Sequence, residues 1–351
     1  MIKSERKIRV GIVGIGFGQQ VHLPAFQSHP SCQVVAICAS NQSRALRASA
    51  RHSVEKSYGD WRELVKDADV DVVSIATPPF VQPEIAIEAL SQGKAVFCEK
   101  PLGLSKTAAL DMLAAAERVS LANMVDFELV EVEAFHRAKA LLDRGEIGQL
   151  RHIAVSWNVE TYANRIGLHS WKGCAEKGGG VLNSFVSHTF YYLEWFVGRI
   201  QRLTASLSSA MGDREMGDTL AVLCLEFESG VPASLSISSH ACLGTGHRVE
   251  FYGDAGALVL DNTTTDYAAG WRVRHGTRAA NRLQVVHEDY HVRINGSDGR
   301  VVAVACLVKR FVDWIATGVR SSPSFVDGLR VQVLLEAARK SHELGCWVDI
   351  H

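Results

Sequence analysis

The chain has 351 residues, enough for two domains, and its 37 Lys and Arg nearly balance its 38 Asp and Glu, leaving a formal net charge of -1. This balance gives no sign of a basic face and argues against a nucleic-acid-binding protein. Hydrophobic residues make up 47% of the chain, and no apolar run approaches the length of a membrane span. The charged N-terminus lacks a signal-peptide pattern, and the eight cysteines are scattered without a C-x-x-C pair. We therefore expect a cytoplasmic protein with reduced thiols, no membrane segment and no nucleic-acid partner.

Apolar runs and helical patterns alternate through the first third of the chain. The runs are near-continuous, as in parallel strands buried on both faces, and they cover residues 8–13, 33–38, 71–76, 95–98 and 122–126. Helical patterns lie between them at 43–51, 61–66, 83–91 and 105–119. This alternation predicts right-handed βαβ units and a doubly wound parallel sheet, which we place in a dinucleotide-binding domain of residues 1–126.

A glycine-rich turn follows the first predicted strand. Gly14 permits a tight turn, and Gly16 allows the backbone to approach a pyrophosphate, which the next helix N-terminus would bind. The match to G-x-G-x-x-G is partial, because Gln19 holds the third glycine position and a glycine stands one residue early, at Gly18. Because the turn lies between a strand and a helical pattern, we assign Gly14, Gly16, Phe17 and Gly18 to a cofactor site.

The segment after the second strand indicates which dinucleotide is used. NAD enzymes usually place Asp or Glu here, but residues 39–44 contain no carboxylate. Ser40 and Asn41 could donate hydrogen bonds to a 2′-phosphate, and Arg44 could add positive charge. The alternative is that Ser43 caps the next helix and Arg44 is solvated. We predict NADP(H) as the favoured cofactor, with NAD(H) possible.

Glu99-Lys100-Pro101 follows the apolar run at 95–98. A lysine at the carboxyl end of such a strand points into the crevice where open α/β sheets bind ligands. Its ammonium could orient a substrate hydroxyl or carbonyl beside the cofactor. The alternative is a surface lysine that merely ends a strand, and the other motifs of the chain favour the first interpretation.

The rest of the chain, residues 127–351, predicts a second domain. Helical spacing at 127–146 is followed by strand-like runs separated by hairpin-type turns, at 150–159, 201–209, 220–227, 233–238, 249–252 and 258–260, with weaker runs near 270–291. Further helices are expected at about 181–197, 303–317 and 327–343. The fold class is therefore α/β plus α+β: a doubly wound parallel sheet and then a large, mostly antiparallel open sheet.

Five motifs in order along the chain resemble the Gfo/Idh/MocA oxidoreductase family, whose members include glucose–fructose oxidoreductase and inositol dehydrogenase. They are the glycine turn with Val21-His22-Leu23-Pro24, Ala76-Thr77-Pro78-Pro79, Cys98-Glu99-Lys100-Pro101-Leu102, Gly178-Gly179-Gly180 with His188, and Asp327-Gly328-Leu329-Arg330. The resemblance implies a Rossmann domain followed by an α/β domain with a large open sheet. It also implies NAD(P)-dependent oxidation or reduction of a sugar, polyol or related carbonyl compound.

The same resemblance implies roles for individual residues. Lys100 would contact the substrate carbinol, and His188 would act as acid or base on the reacting oxygen. Glu99 and the loop containing Thr77 and Pro78 would lie near the nicotinamide half of the cofactor.

The chain departs from the family pattern around His188. The family often carries D-x-G-x-H-x-x-D there, whereas this chain has Ser184, Val186 and Tyr191 in place of the Asp, Gly and second Asp. A serine can hydrogen-bond a substrate hydroxyl but cannot take up a proton at neutral pH. We include Ser184 among the substrate-binding residues, together with His169 and Trp171 just before the glycine run, for which simple packing is an equal alternative. The neighbouring aromatic residues, Tyr191 and Tyr192 among them, are expected in the core.

These features leave alternatives open. A non-catalytic dinucleotide-binding sensor or regulator would explain the serine at position 184, whereas Lys100 and His188 favour an enzyme. A reductase of a planar ligand has no specific motif behind it. No ligand set has zinc-like spacing, His287 and His291 included, so we predict no metal. A sheet with one uncovered face predicts a homodimer or homotetramer through that sheet.

Overall fold

The structure, a computed structural model, describes residues 6–168, 170–209, 217–288 and 298–350. The chain forms two compact units. Unit 1 comprises Met1–Glu128 and Arg300–Gln332, and unit 2 comprises Leu129–Gly299 and Val333–His351. The α-helices are α1 Leu23–Ser28, α2 Gln42–His52, α3 Trp61–Lys66, α4 Gln82–Ser91, α5 Lys106–Val119, α6 Glu133–Asp143, α7 Tyr162–Arg165, α8 Ser187–Val197, α9 Gly299–Thr317 and α10 Phe325–Leu344.

Unit 1 is built on a six-stranded parallel sheet. Its strands are β1 Ile8–Val13, β2 Cys32–Cys38, β3 Lys56–Tyr58, β4 Val72–Ile75, β5 Ala95–Glu99 and β6 Asn123–Asp126. They lie in the order β3-β2-β1-β4-β5-β6, and every neighbouring pair is parallel. This is the strand order of the doubly wound dinucleotide-binding fold, and the order reverses between β1 and β4. The prediction of a doubly wound sheet is confirmed.

The strands of unit 1 are apolar on both faces because helices cover both. All four residues of β4 are buried, as the continuous Val72-Val73-Ser74-Ile75 run predicted. The sequence prediction missed β3, which is only three residues long, half-buried and without an apolar run.

Helix α9 supplies part of this core, although it is distant in sequence. Val304, Leu307 and Phe311, at helical spacing, are fully buried in the same apolar cluster as residues of β1 and β5, and the Phe311 ring centroid lies 5.8 Å from that of Phe97. The sequence placed residues 300–332 within the second domain, whereas this apolar stripe packs them into unit 1.

Unit 2 contains a nine-stranded sheet. Its strands are β7 Leu150–Asn158, β8 Ile200–Ser208, β9 Leu220–Phe227, β10 Pro232–Ser238, β11 Gly246–Gly253, β12 Gly256–Asn262, β13 Arg272–Thr277, β14 Gln284–Glu288 and β15 Val348–Asp349. The order is β14-β13-β12-β11-β7-β10-β9-β8-β15, and β7 and β10 are its parallel pair. The other pairs are antiparallel, so the predicted mostly antiparallel sheet is confirmed. The two-residue edge strand β15 was missed.

The two faces of this sheet differ in composition. On β9, Ala221, Leu223 and Leu225 are buried, whereas Val222 is 44% exposed and Cys224 is also exposed. The alternation has a period of two, as expected for a sheet packed on one face only. Helices α6 and α8 contribute aromatic side chains to the buried side, where the ring centroids of Phe135 and Tyr192 lie 5.5 Å apart.

No helix within the described parts of the chain is both long and apolar enough to cross a membrane. All eight cysteines lie in described segments, and each is free of a disulfide bond.

Candidate active site

The glycine turn follows β1 at the point where the strand order reverses. Gly14 has φ +111, and a Cβ on it would lie 2.4 Å from the carbonyl oxygen of Ala76, so only glycine fits. A Cβ on Gly18 would lie 3.0 Å from side-chain atoms of both Ile12 and Ala76. Gly18 therefore permits the close helix–strand packing that the third glycine of the fingerprint usually provides. A Cβ on Gly16 would meet nothing within 4 Å, so the fold itself does not require glycine there.

Two side chains, His22 and Arg300, contact the Phe17 ring of this turn. The Phe17 ring packs edge-on against His22, with centroids 5.4 Å apart. The guanidinium carbon of Arg300, at the start of α9, lies 5.1 Å from the centroid of the same Phe17 ring. Sequence reasoning did not single out Arg300, which is almost 300 positions from the turn and belongs to no motif.

The loop after β2 differs in one detail from the alternative interpretation, in which Ser43 caps the next helix. Asn41, not Ser43, caps α2: its Oδ1 accepts hydrogen bonds from the Arg44 backbone N–H at 3.0 Å and from the Ser43 hydroxyl at 2.9 Å. Asn41 is the cap because it is the extended residue directly before the helix, where its side chain lies beside the first free backbone N–H groups. The Arg44 guanidinium donates to the Ser40 hydroxyl at 3.0 Å, so these two side chains share one surface.

Two buried glutamines hydrogen-bond to the loops after β4 and β5, and Gln82 joins the two loops. Gln82 donates to the carbonyl of Thr77 at 3.4 Å and accepts from the Gly103 N–H at 3.0 Å. Gln332 of α10 donates to the carbonyls of Leu102 and Gly103 at 3.2 and 2.7 Å. The hydroxyl oxygen of Thr77 is buried and has no hydrogen-bond partner within the described parts of the chain. The predicted Thr77-Pro78 and Glu99-Lys100 segments therefore lie on adjacent, mutually supported loops.

Lys100 is the first residue after β5, and the peptide bond between it and Pro101 is cis. Its neighbour Glu99 ends the strand and directs its carboxylate towards His22, with an Oε1–Nε2 distance of 3.1 Å. The motif predicted that Glu99 lies at the cofactor site, whereas its contact with His22 was not predicted.

His22 is the centre of a buried polar cluster that sequence reasoning missed. Its ring is 0% exposed, with Nδ1 at 2.8 Å from the Ser74 hydroxyl and Nε2 at 3.1 and 3.0 Å from oxygens of Glu99 and Asp126. His22 and Asp126 are 104 positions apart, and no local spacing connects them. The one indication of this cluster in the sequence was that His22 lies in a motif of the family resemblance, but that motif predicted no role for it.

The three ionisable groups of this cluster perturb each other. Burial disfavours a charged imidazole, but hydrogen bonds to Asp126 and Glu99 outweigh it and raise the pKa of His22 to about 9. Burial raises the pKa of Asp126 to about 6. Burial also acts to raise the pKa of Glu99, but its bond to the His22 cation holds that pKa below its usual value. A positively charged ring thus lies between two carboxyl groups near neutral pH.

These three side chains also form the one group in the described chain with ligand-type atoms close enough to hold a metal ion, within 4.8 Å of one another. Their contacts at 3.0 and 3.1 Å are ordinary hydrogen-bond lengths, and a protonated ring already supplies the positive charge. The prediction of no metal stays a prediction.

In unit 2, Ser184 and His188 lie one helical turn apart. Ser184 belongs to a π-helical turn, Leu182–Val186, that leads into α8, and its hydroxyl donates to the carbonyl of Gly180 at 2.7 Å. His188 is the second residue of α8 and is 3% exposed. The turn therefore places both predicted residues along one short stretch of helix.

Asp218 holds the start of this helical segment. Its carboxylate accepts from the Leu182 N–H at 2.7 Å, and its carbonyl accepts from the Val181 N–H at 2.7 Å. Gly180 has φ +107, and a Cβ there would lie 2.4 Å from the Asp218 carboxylate. Burial raises the pKa of Asp218. Sequence reasoning missed this residue, which follows a stretch with no motif and contacts the glycine run only in the fold.

An aromatic stack packs beside His188. Trp157 of β7 stacks in parallel with His247 of β11 and with Phe185, at centroid distances of 4.0 and 4.5 Å, and its centroid is 6.3 Å from that of His188. Tyr192 and His247 share a hydrogen bond of 3.0 Å between Oη and Nε2. Burial lowers the pKa of His247 to about 3, so its ring is neutral. The expectation that Tyr191 and Tyr192 are core residues is confirmed, since both are buried.

The structure describes some of the remaining predicted residues and not others. Trp171 lies in a short 3₁₀ turn, Trp171–Gly173, and is half-buried. His169 lies outside the described residues, and so does His291, whereas His287 is on β14.

Comparison with known proteins gives the family. Residues 8–127 match the model described as the oxidoreductase family with an NAD-binding Rossmann fold, and residues 135–259 match the GFO/IDH/MocA C-terminal domain. An uncharacterized oxidoreductase of Synechocystis sp. is 33% identical over 364 residues, which span 100% of this chain and 98% of that protein. The chain belongs to the Gfo/Idh/MocA oxidoreductase family.

Two further relatives carry a more specific name. Levoglucosan dehydrogenase of Pseudarthrobacter phenanthrenivorans is 25% identical over 389 residues, covering 98% of each chain. A structure of levoglucosan dehydrogenase in complex with NADH and levoglucosan superimposes with a TM-score of 0.88 at 24% identity, over 99% of this chain and 100% of that chain. At that identity the structural match establishes the fold alone.

Proposed function

We propose that this family member is an NAD(P)-dependent enzyme that transfers a hydride between nicotinamide and the carbinol or carbonyl carbon of a sugar, polyol or related compound. The observation that carries the proposal is the position of Lys100. It directly follows β5, next to the Thr77 loop after β4, and the glycine turn after β1 adjoins β4 in the sheet. Open α/β sheets bind ligands at this edge. The names of two relatives, levoglucosan dehydrogenase and myo-inositol 2-dehydrogenase, favour a sugar or polyol as the substrate class.

The residues at this edge fit a dinucleotide. Gly14 is required by the turn, whereas Gly16 is not, which leaves close approach of a pyrophosphate as the reason for glycine there. Arg300 adds positive charge beside the turn, and among the described residues the buried hydroxyl of Thr77 has no hydrogen-bond partner. The bound dinucleotide supplies or accepts the hydride.

We propose NADP(H) as the preferred form, with NAD(H) as the alternative. Ser40 and Arg44 are hydrogen-bonded to each other at the end of β2, and both are exposed. Asn41 uses its Oδ1 as the helix cap, so its amide N–H groups would face a 2′-phosphate as donors. Residues 39–44 contain no carboxylate for a ribose hydroxyl.

Within this proposal, Lys100 orients and polarises the reacting oxygen and His188 exchanges its proton. Both roles need hydrogen-bond reach to a single substrate atom. Ser184 contributes a hydroxyl where many relatives have a carboxylate, as the resemblance implies. His169 and Trp171 complete the proposed substrate-binding set.

The test is a screen of sugars, polyols and their keto forms with NADP(H) and NAD(H), followed by variants at Lys100. We expect Lys100→Met to lower kcat at least ~100-fold, the range for removal of a group that stabilises charge on the reacting oxygen, with a Kd for NADPH within about threefold of wild type. Lys106→Met, an exposed lysine at the start of α5, is the matched control. A kcat for Lys100→Met close to that of wild type would exclude the proposed role.

The second candidate is a non-catalytic dinucleotide-binding sensor or regulator, favoured by Ser184 in place of the family aspartate. Hydride exchange between a bound nicotinamide and any compound of the screen would exclude it. Tight NADPH binding without turnover across the screen would support it.

We also propose a homodimer or homotetramer assembled through the exposed face of the nine-stranded sheet, in a cytoplasmic protein. Val222 and Cys224 on β9 present apolar side chains on that face. Light scattering at micromolar concentration should give twice or four times the mass of the chain, and Val222→Arg should reduce it. A monomeric wild type would refute the assembly.

A further inference from the structure

The start of α9 is fixed beside the glycine turn by apolar packing. Val304 and Leu307 of α9 are fully buried in the core cluster of unit 1, and Val301 and Phe17 both pack against that cluster. Arg300, which directly precedes Val301, has its guanidinium carbon 5.1 Å from the centroid of the Phe17 ring. Arg300 and Phe17 both belong to unit 1. The position of this cation at the turn therefore follows from the apolar stripe of the helix that carries it.

We propose that Arg300 is a further cofactor-binding residue, which binds the pyrophosphate of the dinucleotide. This inference rests on the function proposed above. The ring of Phe17 positions the guanidinium, because the face of an aromatic ring attracts a cation that lies over it. A guanidinium carries five N–H donors around its edge, so it can rest on the ring and bind a phosphate beside any other partner. The cofactor site is then completed by a side chain of the distant helix α9.

The glycine turn leaves open space where a pyrophosphate would approach. A Cβ on Gly14 or Gly18 would meet neighbouring atoms at 2.4 or 3.0 Å, so these two glycines serve the fold. A Cβ on Gly16 would meet nothing within 4 Å, and Gly16 is exposed. Phe17 follows Gly16 directly, so the ring that Arg300 covers belongs to the residue next to this opening. A phosphate that approaches Gly16 would therefore come close to a cation that is already in place.

The turn itself supplies no charged side chain to a pyrophosphate. Residues 14–20 read Gly-Ile-Gly-Phe-Gly-Gln-Gln and contain neither Lys nor Arg. Backbone N–H groups donate to phosphate oxygens, but hydrogen bonds from a cation to a phosphate are stronger. Arginine suits this role because its planar fork can donate parallel hydrogen bonds to one phosphate. Arg300 provides that cation from outside the motif.

Arg300 and Arg44 are assigned to different phosphates of the cofactor. Arg44 donates to Ser40 in the loop after β2, whereas Arg300 lies at the turn after β1. In the doubly wound fold, the turn after the first strand binds the pyrophosphate, and the end of the second strand binds the ribose 2′ substituent. Loss of Arg300 should therefore weaken every ligand that contains a pyrophosphate, whereas loss of Arg44 should weaken only ligands with a 2′-phosphate.

The experiment measures binding, without a substrate or turnover. Wild type and Arg300→Met are titrated with NADPH and NADH by reduced-nicotinamide fluorescence. Calorimetry gives the Kd for ADP, which contains a pyrophosphate but neither nicotinamide nor a 2′-phosphate. We expect Arg300→Met to weaken all three ligands by at least about tenfold, the range for loss of a hydrogen bond to a charged group. Adenosine 2′-monophosphate, which has no pyrophosphate, should bind to Arg300→Met as tightly as to wild type.

Matched variants isolate the cause. Lys309→Met removes an exposed positive charge from the same helix and should bind every ligand as wild type does. Phe17→Leu should weaken the same three ligands in wild type and have no further effect in Arg300→Met, because the ring acts through the guanidinium. Should Arg300→Met fail to fold, Arg300→Lys is titrated in its place. It keeps the charge but loses the planar fork, and a loss of about threefold for the three ligands is expected.

The outcomes separate this inference from the proposed function. If the Arg300 variant binds ADP and NADPH as tightly as wild type does, the pyrophosphate role is overturned and the proposed function stands. A loss for NADPH that NADH and ADP do not share also overturns it, because Arg300 would then bind the 2′-phosphate. A loss of equal size in Lys309→Met overturns it as well, since net charge alone would explain the effect. A wild type that binds neither NADPH nor NADH overturns the proposed function, and this inference with it.

Discussion

Ser40→Asp is the substitution that most directly tests the cofactor assignment. Ser40 is exposed at the carboxyl end of β2, where its hydroxyl accepts a hydrogen bond from Arg44 at 3.0 Å. An aspartate there would place a carboxylate where NAD enzymes bind the ribose hydroxyls. It would also repel a 2′-phosphate and attract Arg44 to itself.

The expected loss of NADPH affinity in Ser40→Asp has two contributions, repulsion between like charges and the loss of a hydrogen bond. Two like charges about 4 Å apart repel by about 1 kcal/mol in water and more at a protein surface. Loss of a charge-assisted hydrogen bond to the phosphate adds roughly 1.5 kcal/mol. NADPH binding should therefore weaken by about 2 to 3 kcal/mol, or roughly 30- to 150-fold. NADH should bind about fivefold tighter if the new carboxylate gains about 1 kcal/mol from the ribose hydroxyls.

The assay is titration of wild type and Ser40→Asp with NADPH and NADH, followed by reduced-nicotinamide fluorescence. The ratio of the two dissociation constants should change more than 100-fold. Ser40→Ala is the control that removes the hydroxyl without adding charge, and Arg44→Ala should weaken NADPH alone. An unchanged NADPH/NADH affinity ratio in Ser40→Asp would refute the assignment of this loop to a 2′-phosphate.

Three further predictions concern stability and binding. Since the pKa of His22 is raised from 6.5 to about 9, its ring stabilises the fold below pH 6.5 and loses this effect as pH rises through 9. Urea denaturation should thus give wild type an advantage over His22→Gln of up to about 3 kcal/mol at pH 6, shrinking towards pH 9; a pH-independent difference would contradict this. Gly14→Ala should destabilise the protein by at least about 2 kcal/mol in the same assay, whereas Gly16→Ala should unfold as wild type and weaken the binding of both NADPH and NADH. Asp218→Asn should lower stability by about 1 kcal/mol through the helix start at Leu182, and kcat more than the exposed control Asp313→Asn does; equal effects would exclude a role near His188.

Local patterns in the sequence were sufficient for most of the fold. The continuous apolar run of β4 predicted a buried strand of a parallel sheet, and the strand-like run of β9 between hairpin-type turns predicted an antiparallel sheet. The motif around Lys100 gave its position at the end of β5. These predictions succeeded because each depends on residues next to one another in the chain.

The cap of α2 shows where local reasoning reached its limit. Ser43 and Asn41 are both good capping residues, and only the backbone conformation at position 41 decided between them. The packing of residues 300–332 into unit 1 likewise depended on which apolar surface α9 covers.

The sequence by itself determined the longer strands and helices in their order, the glycine turn and the candidate lysine. Tertiary structure alone decided that His22 meets Ser74, Glu99 and Asp126, and that Asp218 holds the helix carrying His188. The physical reason is the same in both cases. Parallel strands bring their carboxyl ends to one edge from distant parts of the chain, and a buried charge takes whichever partner the sheet order places beside it.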